Sequence, residues 1–297
     1  MSAPRLCNDG SARPPRLEVH QALWGMIGIP GASPAAGGTP GAPDWPLEEQ
    51  LARIAAAGFT GVLGSIPAPA DRPRWRALLA EHRLAFGAMA FPARPEDLDP
   101  VLHAARDFGA AYVNAQVMDG FVVGEAAVAL LGALDERARA AGIPFFVETH
   151  RGRVTQDLLR TVDYVRQLPD LRLTLDLSHY AVAGEFPGPS PAVEAAFGAL
   201  LPRAGSLHAR VSNGEQVQVD AGDGSRGPAV HFRRWWTEAM RQWRATAGPG
   251  GILPFVPELG PPGYAITRPE GGEVSDRWAQ ALVLADLGRR CWEESAG

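Results

Sequence analysis

Lysine is absent from the 297 residues, so all 28 basic side chains are arginine. The absence removes chemistry: no amine is available for a Schiff base with a carbonyl substrate or pyridoxal phosphate, and there is no P-loop lysine. Any carbonyl chemistry has to use another electrophile. Cysteine is scarce as well. Cys7 and Cys291 lie near opposite ends, too few for a disulfide scaffold, and this usage predicts a reducing cytoplasm. No uninterrupted apolar run reaches about 18 residues, which argues against a membrane span. With a net charge of −5 and a pI near 5.8, no basic field favours nucleic acid. The opening MSAPRLCNDGSARPPR carries Arg, Pro and Ser but no apolar core; residues 1–15 read as a disordered tail, not a secretory signal.

What is present is a chain 46% hydrophobic, enough to bury a substantial core. From Arg16 onward, short apolar runs alternate with amphipathic stretches. The runs predict strands over 17–26, 60–66, 85–91, 112–117, 144–149, 172–178, 206–211 and 252–258. Helical patterns fall between them, over 47–57, 74–82, 95–108, 125–141, 155–167, 191–202, 232–245 and 275–292. Leu47, Leu51 and Ile54 repeat at helical spacing and stop at Gly58, a C-terminal cap residue. Thr155 with Asp157 reads as an N-terminal cap with a first-turn acid. FFVE and RLTLDLS are nearly all apolar, as strands covered on both faces should be.

Eight strands alternating with eight helices predict one (β/α)8 barrel over 16–297. An open doubly wound sheet is the competitor, but GIPGASPAAGGTPGAPDWP after the first strand lacks the GxGxxG spacing of a phosphate turn. Long loops are expected over 28–44, 212–230 and 260–274. The first is either a lid or an idle insertion.

In such a barrel the chemistry sits where strands end. Strands five to eight each place one ligand-type residue there: Glu148 in FFVETH, Asp176 in LTLDLSHY, His208 in SLHAR and Glu258 in PFVPELG. Alone, each carboxylate reads more often as a solvated loop residue or a helix cap, and His208 reads equally well as a satisfied buried histidine. Together they demand a cation, because three buried carboxylates repel one another and lose hydration. Three oxygens and an imidazole suit a divalent ion such as Mn²⁺, Mg²⁺ or Co²⁺, with Zn²⁺ also admissible.

The motifs VETH, LDLSHY, SLHAR and PELG resemble the xylose-isomerase-like barrel superfamily of sugar phosphate isomerases and epimerases. The resemblance spans the whole barrel and is most specific from Glu148 to Glu258. It implies a metal held by Glu148, Asp176, His208 and Glu258, with His179 and Arg210 facing substrate hydroxyls or carbonyls. The nuclease branch adds histidines on strands two and three; here SIPAPAD and AMAFPAR carry none.

The expected reaction is proton transfer next to a carbonyl of a sugar-like ketose or polyol, through an enediolate. Glu148 and Glu258 exchange the proton, and His179 and Arg210 stabilise or orient oxygens. Rival readings are β-elimination from a keto-inositol or 3-keto-glycoside, a non-catalytic sugar-binding barrel and a metallohydrolase. His150 is expected on the same side as Glu148. Arg151 and Arg153 read as solvated arginines or as a grip for an anion. Trp24, Phe91 and Tyr264 could stack on a sugar or pack in the core. Glu215, Gln216 and Gln218 are a polar edge or a solvated loop. Trp235, Trp236 and Trp243 predict either an apolar patch for a partner, such as a second copy in a homo-oligomer, or burial against the barrel.

Overall fold

The computed structural model describes residues 6–29, 45–186 and 188–297. Among them, nine strands form one sheet: β1 (Cys7–Asn8), β2 (Arg16–Ala22), β3 (Gly61–Gly64), β4 (Ala85–Ala90), β5 (Tyr112–Ala115), β6 (Phe145–Glu148), β7 (Leu173–Leu175), β8 (Ala204–Ala209) and β9 (Gly251–Pro257). Strands β2 to β9 are parallel neighbours in chain order. The β2–β9 pairing, Arg16 opposite Ile252 through Val19 opposite Phe255, closes the barrel. That closure decides against the open sheet, which would leave two edges.

The helices are α1 (Leu47–Ala56), α2 (Arg72–His82), α3 (Leu98–Phe108), α4 (Gly124–Ala141), α5 (Leu158–Gln167), α6 (Ser178–Ala183), α7 (Pro191–Leu200), α8 (Ala229–Thr246) and α9 (Arg277–Glu294). No described helix is long and apolar enough to cross a membrane. The α1 pattern ends where expected, with Gly58 at φ 79 just beyond the helix.

Two apolar layers follow from the alternation of side chains along each strand. Val62, Val113, Val147 and Leu207 face outward and pack with Leu51, Leu102, Leu131 and Trp236 of the helices. Ala22, Leu63, Tyr112, Phe146, Ile252 and Val256 point inward and fill the barrel with Cys7. Gly87 makes this filling fit, since a Cβ there would lie 2.4 Å from Tyr112 Cζ. On the barrel floor, buried His20 meets the Tyr112 hydroxyl at 3.2 Å through Nδ1.

Several sequence expectations change. Cys7 and Asn8, read as part of a disordered tail, pair antiparallel with Ile252 and Gly251, because β9 offers a backbone edge there. The first barrel strand stops at Ala22 and continues as a 3-10 turn, Leu23–Met26. The strand expected over 172–178 ends at Leu175. Asp176 Oδ1 accepts from Ser178 N at 3.0 Å and turns the chain directly into α6. Helix α5 starts at Leu158 with Asp157 as its cap. Thr155 donates instead to the carbonyl of Glu148 at 2.5 Å. Trp235, Trp236 and Trp243 are all buried, so they form no exposed patch. Most of the 28–44 loop, residues 30–44, lies outside the described residues, and with it any question of a lid.

Candidate metal centre

Inward-facing alternation sets the site. Along β8, Ser206, His208 and Arg210 share one parity. Phe146 and Glu148 share it on β6, Thr174 and Asp176 along β7, and Val256 and Glu258 along β9. The last of each set lies at the C-terminal mouth. There one ligand atom each from Glu148, Asp176, His208 and Glu258 comes within 4.8 Å of all the others, and all four residues are buried. His208 Nδ1 stands 3.0 Å from Glu258 Oε2 and 3.8 Å from Glu148 Oε1.

The same parity explains why Arg210 follows His208 by two residues: its guanidinium enters the cluster. Nη1 donates to Asp176 Oδ2 at 2.9 Å and approaches His179 Nε2 at 3.1 Å. Nη2 donates to Glu258 Oε2 at 2.8 Å, and Nε donates to the Glu258 carbonyl at 2.8 Å. Arg210 is 1% exposed, so these bonds carry a full charge in a site without water screening. The shell continues outward. Thr149 Oγ1 receives from Asp176 N at 2.8 Å and donates to the Asp176 carbonyl at 3.0 Å, and Ser178 Oγ donates to Asp176 Oδ1 at 2.5 Å.

Two polar partners escaped the sequence reading. Asn114 Nδ2 donates to Glu148 Oε2 at 2.6 Å, and Gln116 Nε2 donates to Glu148 Oε1 at 3.1 Å. Arg153 in turn donates to Gln116 Oε1 from Nε at 3.2 Å and from Nη2 at 3.1 Å, so it buttresses Glu148 through Gln116. The available signal was the period-two pattern after Tyr112, which puts both amides inside the barrel.

Electrostatics shows a site short of positive charge. Three carboxylates against one guanidinium leave two negative charges when His208 is neutral. Burial, with repulsion from Glu258, raises the Glu148 carboxyl to about 7. Burial also raises Asp176, against the pull of Arg210. Burial would raise Glu258 too, but His208 and Arg210 outweigh it and hold that group at about 2. For His208, burial opposes the charge, yet Glu258 and Glu148 lift it to about 9. The imidazole thus takes on a proton to supply charge that a cation would bring. A divalent ion matches the deficit of two, and the donor set of three carboxylates and one imidazole fits it.

The second ring of the site is neutral. Burial, then Arg210, pushes His179 well below the usual histidine range. Burial lowers His150 to about 4. The two rings lie 3.9 Å apart, and His150 Nε2 meets the Tyr264 hydroxyl at 3.3 Å. Tyr264, from the 260–274 loop, folds over the mouth against Trp24 at 4.9 Å, with the Arg151 guanidinium 4.7 Å from its ring. Gln218 is occupied structurally, exchanging bonds with the Gly260 backbone at 2.7 and 3.1 Å. Gln216 bonds Asn213 within its own loop.

Beside this cluster opens a cavity of about 450 Å³, bounded by Glu258, Arg210, His150 and Gln116 at one end. The closed ring of parallel strands with helices outside is a (β/α)8 barrel. Solved structures of that class resemble it over nearly their whole length. A xylose isomerase-like TIM barrel protein from Mycobacterium smegmatis in complex with magnesium aligns at TM-score 0.54 and 16% identity, over 91% of this chain and 97% of that one. The probable 3-DHS dehydratase AsbF involved in petrobactin synthesis from Bacillus anthracis aligns at 0.56 and 11%, over 92% and 97%. The chain shares the (β/α)8 TIM-barrel fold of these structures. No protein-family model and no curated protein sequence matches it.

Proposed function

We propose that this protein is a divalent-metal-dependent isomerase or epimerase that moves a proton at a carbon next to a carbonyl of a sugar-like ketose. The observation that carries this reading is the convergence of Glu148, Asp176, His208 and Glu258, buried, beside an open cavity. A divalent ion held by these four residues would supply Lewis acidity toward the substrate's oxygens. The roles of the side chains follow from their surroundings. Glu148, raised to about 7 without the ion, sits where gaining and losing a proton near neutrality costs least. Asn114 and Gln116 fix its carboxylate in one orientation. Glu258, strongly held as an anion, is a ligand and takes the α-proton, and Glu148 in its protonated form returns one. Arg210 positions Asp176, Glu258 and His179 together, and neutral His179 donates to or orients a substrate oxygen.

β-Elimination from a keto-inositol or 3-keto-glycoside shares the first proton abstraction. The dehydratase named among the similar structures makes it the second reading, by analogy of fold alone. Elemental analysis of purified protein beside Glu258→Gln tests the metal. About one equivalent of Mn, Co, Mg or Zn is expected in the wild type, and less in the variant. No uptake even from excess Mn²⁺ would refute the proposal. Incubating the loaded protein with ketoses and keto-glycosides in deuterated water separates the two readings: deuterium incorporation without loss of a group marks isomerisation or epimerisation, and an unsaturated product marks elimination.

A further inference from the structure

The cavity has two unlike ends. Glu258, Arg210, His150, Gln116 and Tyr264 line one; Leu23, Ile27, Leu63, Met89 and Phe91 line the other, with Trp24 between. The apolar end arises from the same strand alternation that builds the polar one. Ala22, Leu63 and Met89 are inward positions near the C-terminal ends of β2, β3 and β4, an arc of the barrel that carries none of the four ligands. At the rim, Ile27 is 56% exposed and Phe91 53%, large apolar side chains turned to the open mouth. A free sugar carries a hydroxyl on nearly every carbon, and each one lodged against this wall would lose water without gaining a partner. The polar side-chain groups this wall offers are the hydroxyl of Ser65 and, at its border, the indole N–H of Trp24. The volume is that of a site for a drug-sized ligand.

We infer that the substrate is bipartite: an oxygen-bearing half at the four ligands, and an apolar ring-bearing group, such as the aglycone of a glycoside, against Trp24, Leu63, Met89 and Phe91. The inference rests on the metal-dependent reading above and adds the substrate class. It assigns Leu23, Ile27 and Phe91 to substrate recognition, a part none of them has in the proton transfer.

Hydroxamates test this without knowledge of sugar stereochemistry, because each presents the same vicinal oxygen pair to a divalent ion. Calorimetric titration of the Mn²⁺-loaded protein would compare acetohydroxamate with benzohydroxamate and 4-phenylbutanohydroxamate. At least one aryl compound is expected to bind tenfold or more tighter than the methyl compound, as burial of a phenyl group allows. In the double variant Ile27→Ser, Phe91→Ala, both positions being exposed enough to change without loss of the fold, that ratio should fall toward one. Equal affinities in a protein that takes up Mn²⁺ would overturn the bipartite substrate and leave the metal centre standing. A preference unaltered by the double variant would overturn the assigned wall. A protein that takes up no Mn²⁺ and binds no hydroxamate would overturn the metal-dependent reading, and this inference with it.

Discussion

Arg210→Met is the perturbation with the sharpest expected signature. The arginine is fully buried and bonds two carboxylates, a backbone carbonyl and a histidine. Methionine fills much of the same space but leaves Asp176 without its bonded cation and Glu258 with His208 alone. Breaking a buried pair in this way costs about 3–5 kcal/mol. A second route gives the same size. The folded variant escapes an unpaired buried carboxylate by protonating it, and taking up a proton three pH units above an ordinary carboxylate pKa costs about 4 kcal/mol, at 1.36 kcal/mol per unit. The unfolding entropy of a chain this long, about 0.6 kcal/mol/K, converts the loss into a fall of roughly 5–8 °C in Tm in chelator at pH 7. The escape route also fixes the pH dependence. The folded variant binds a proton that its unfolded chain has released, so its deficit relative to wild type shrinks as pH falls from 7 toward 5, by about 1.4 kcal/mol per unit for one carboxylate. Saturating Mn²⁺ should narrow the gap at pH 7, because the ion supplies charge that the arginine no longer does. Thermal melts followed by circular dichroism, in chelator and in Mn²⁺ at pH 5, 6 and 7, read all three effects. A Tm within about 1 °C of wild type in chelator at pH 7, or a deficit that grows on acidification, would refute the assignment of Arg210 as the buried counter-charge.

Three further outcomes are expected. In chelator, the stability of wild type relative to Glu148→Gln should fall as pH rises from about 4.5 to 7, because the folded state holds the Glu148 proton more tightly than the unfolded one; the difference removes the opposite slope of His150 and His179, which folding keeps neutral. From pH 7 to 9 wild-type stability itself should fall, as His208 loses the proton that folding favours. A wild-type advantage over Glu148→Gln that grows from pH 5 to 7, or a wild-type Tm that climbs from pH 7 to 9, would contradict the charge deficit. Asn114→Leu removes one of the two amides that stabilise ionised Glu148, so the pH profile of deuterium incorporation should move to higher pH; a change in KM alone would show that Asn114 acts elsewhere. Gly87→Ala puts a methyl 2.4 Å from Tyr112 Cζ and should cost about 1–3 kcal/mol by denaturant titration, with metal content unchanged.

The barrel was legible because its signals are local and repeated. Apolar runs too short for helices, separated by amphipathic stretches, already specify buried parallel strands, and each of the eight barrel strands, β2 to β9, overlaps a predicted one. The errors came where a side chain, not the apolar pattern, decides the backbone. LTLDLSHY reads as one strand to Ser178, yet the Asp176 carboxylate binds the Ser178 amide and starts a helix there. Thr155 looks like a helix cap by type and position, but the Glu148 carbonyl lies within its reach and Asp157 takes the cap. The pairing of Cys7 with Ile252 depends on an edge 245 residues away in the chain, and no local pattern announces such a contact.

The four residues that cluster at the barrel mouth were legible in the sequence and their supports were not, and the reason is the same in both directions. A carboxylate at the end of an apolar strand contradicts its surroundings, so Glu148, Asp176 and Glu258 stand out. A neutral amide such as Asn114 or Gln116 contradicts nothing, and its role exists only because β5 lies beside β6 in the closed sheet. Arg210 falls between these cases. Among 28 arginines the SLHAR resemblance singled it out, but only the fold shows its guanidinium aimed at Asp176 and Glu258. The apolar half of the cavity was least visible of all. Leu63 and Met89 are ordinary strand residues until the closed barrel sets them at one mouth with four polar ligands, and the contrast between the two ends, which no single segment carries, is what points to the substrate.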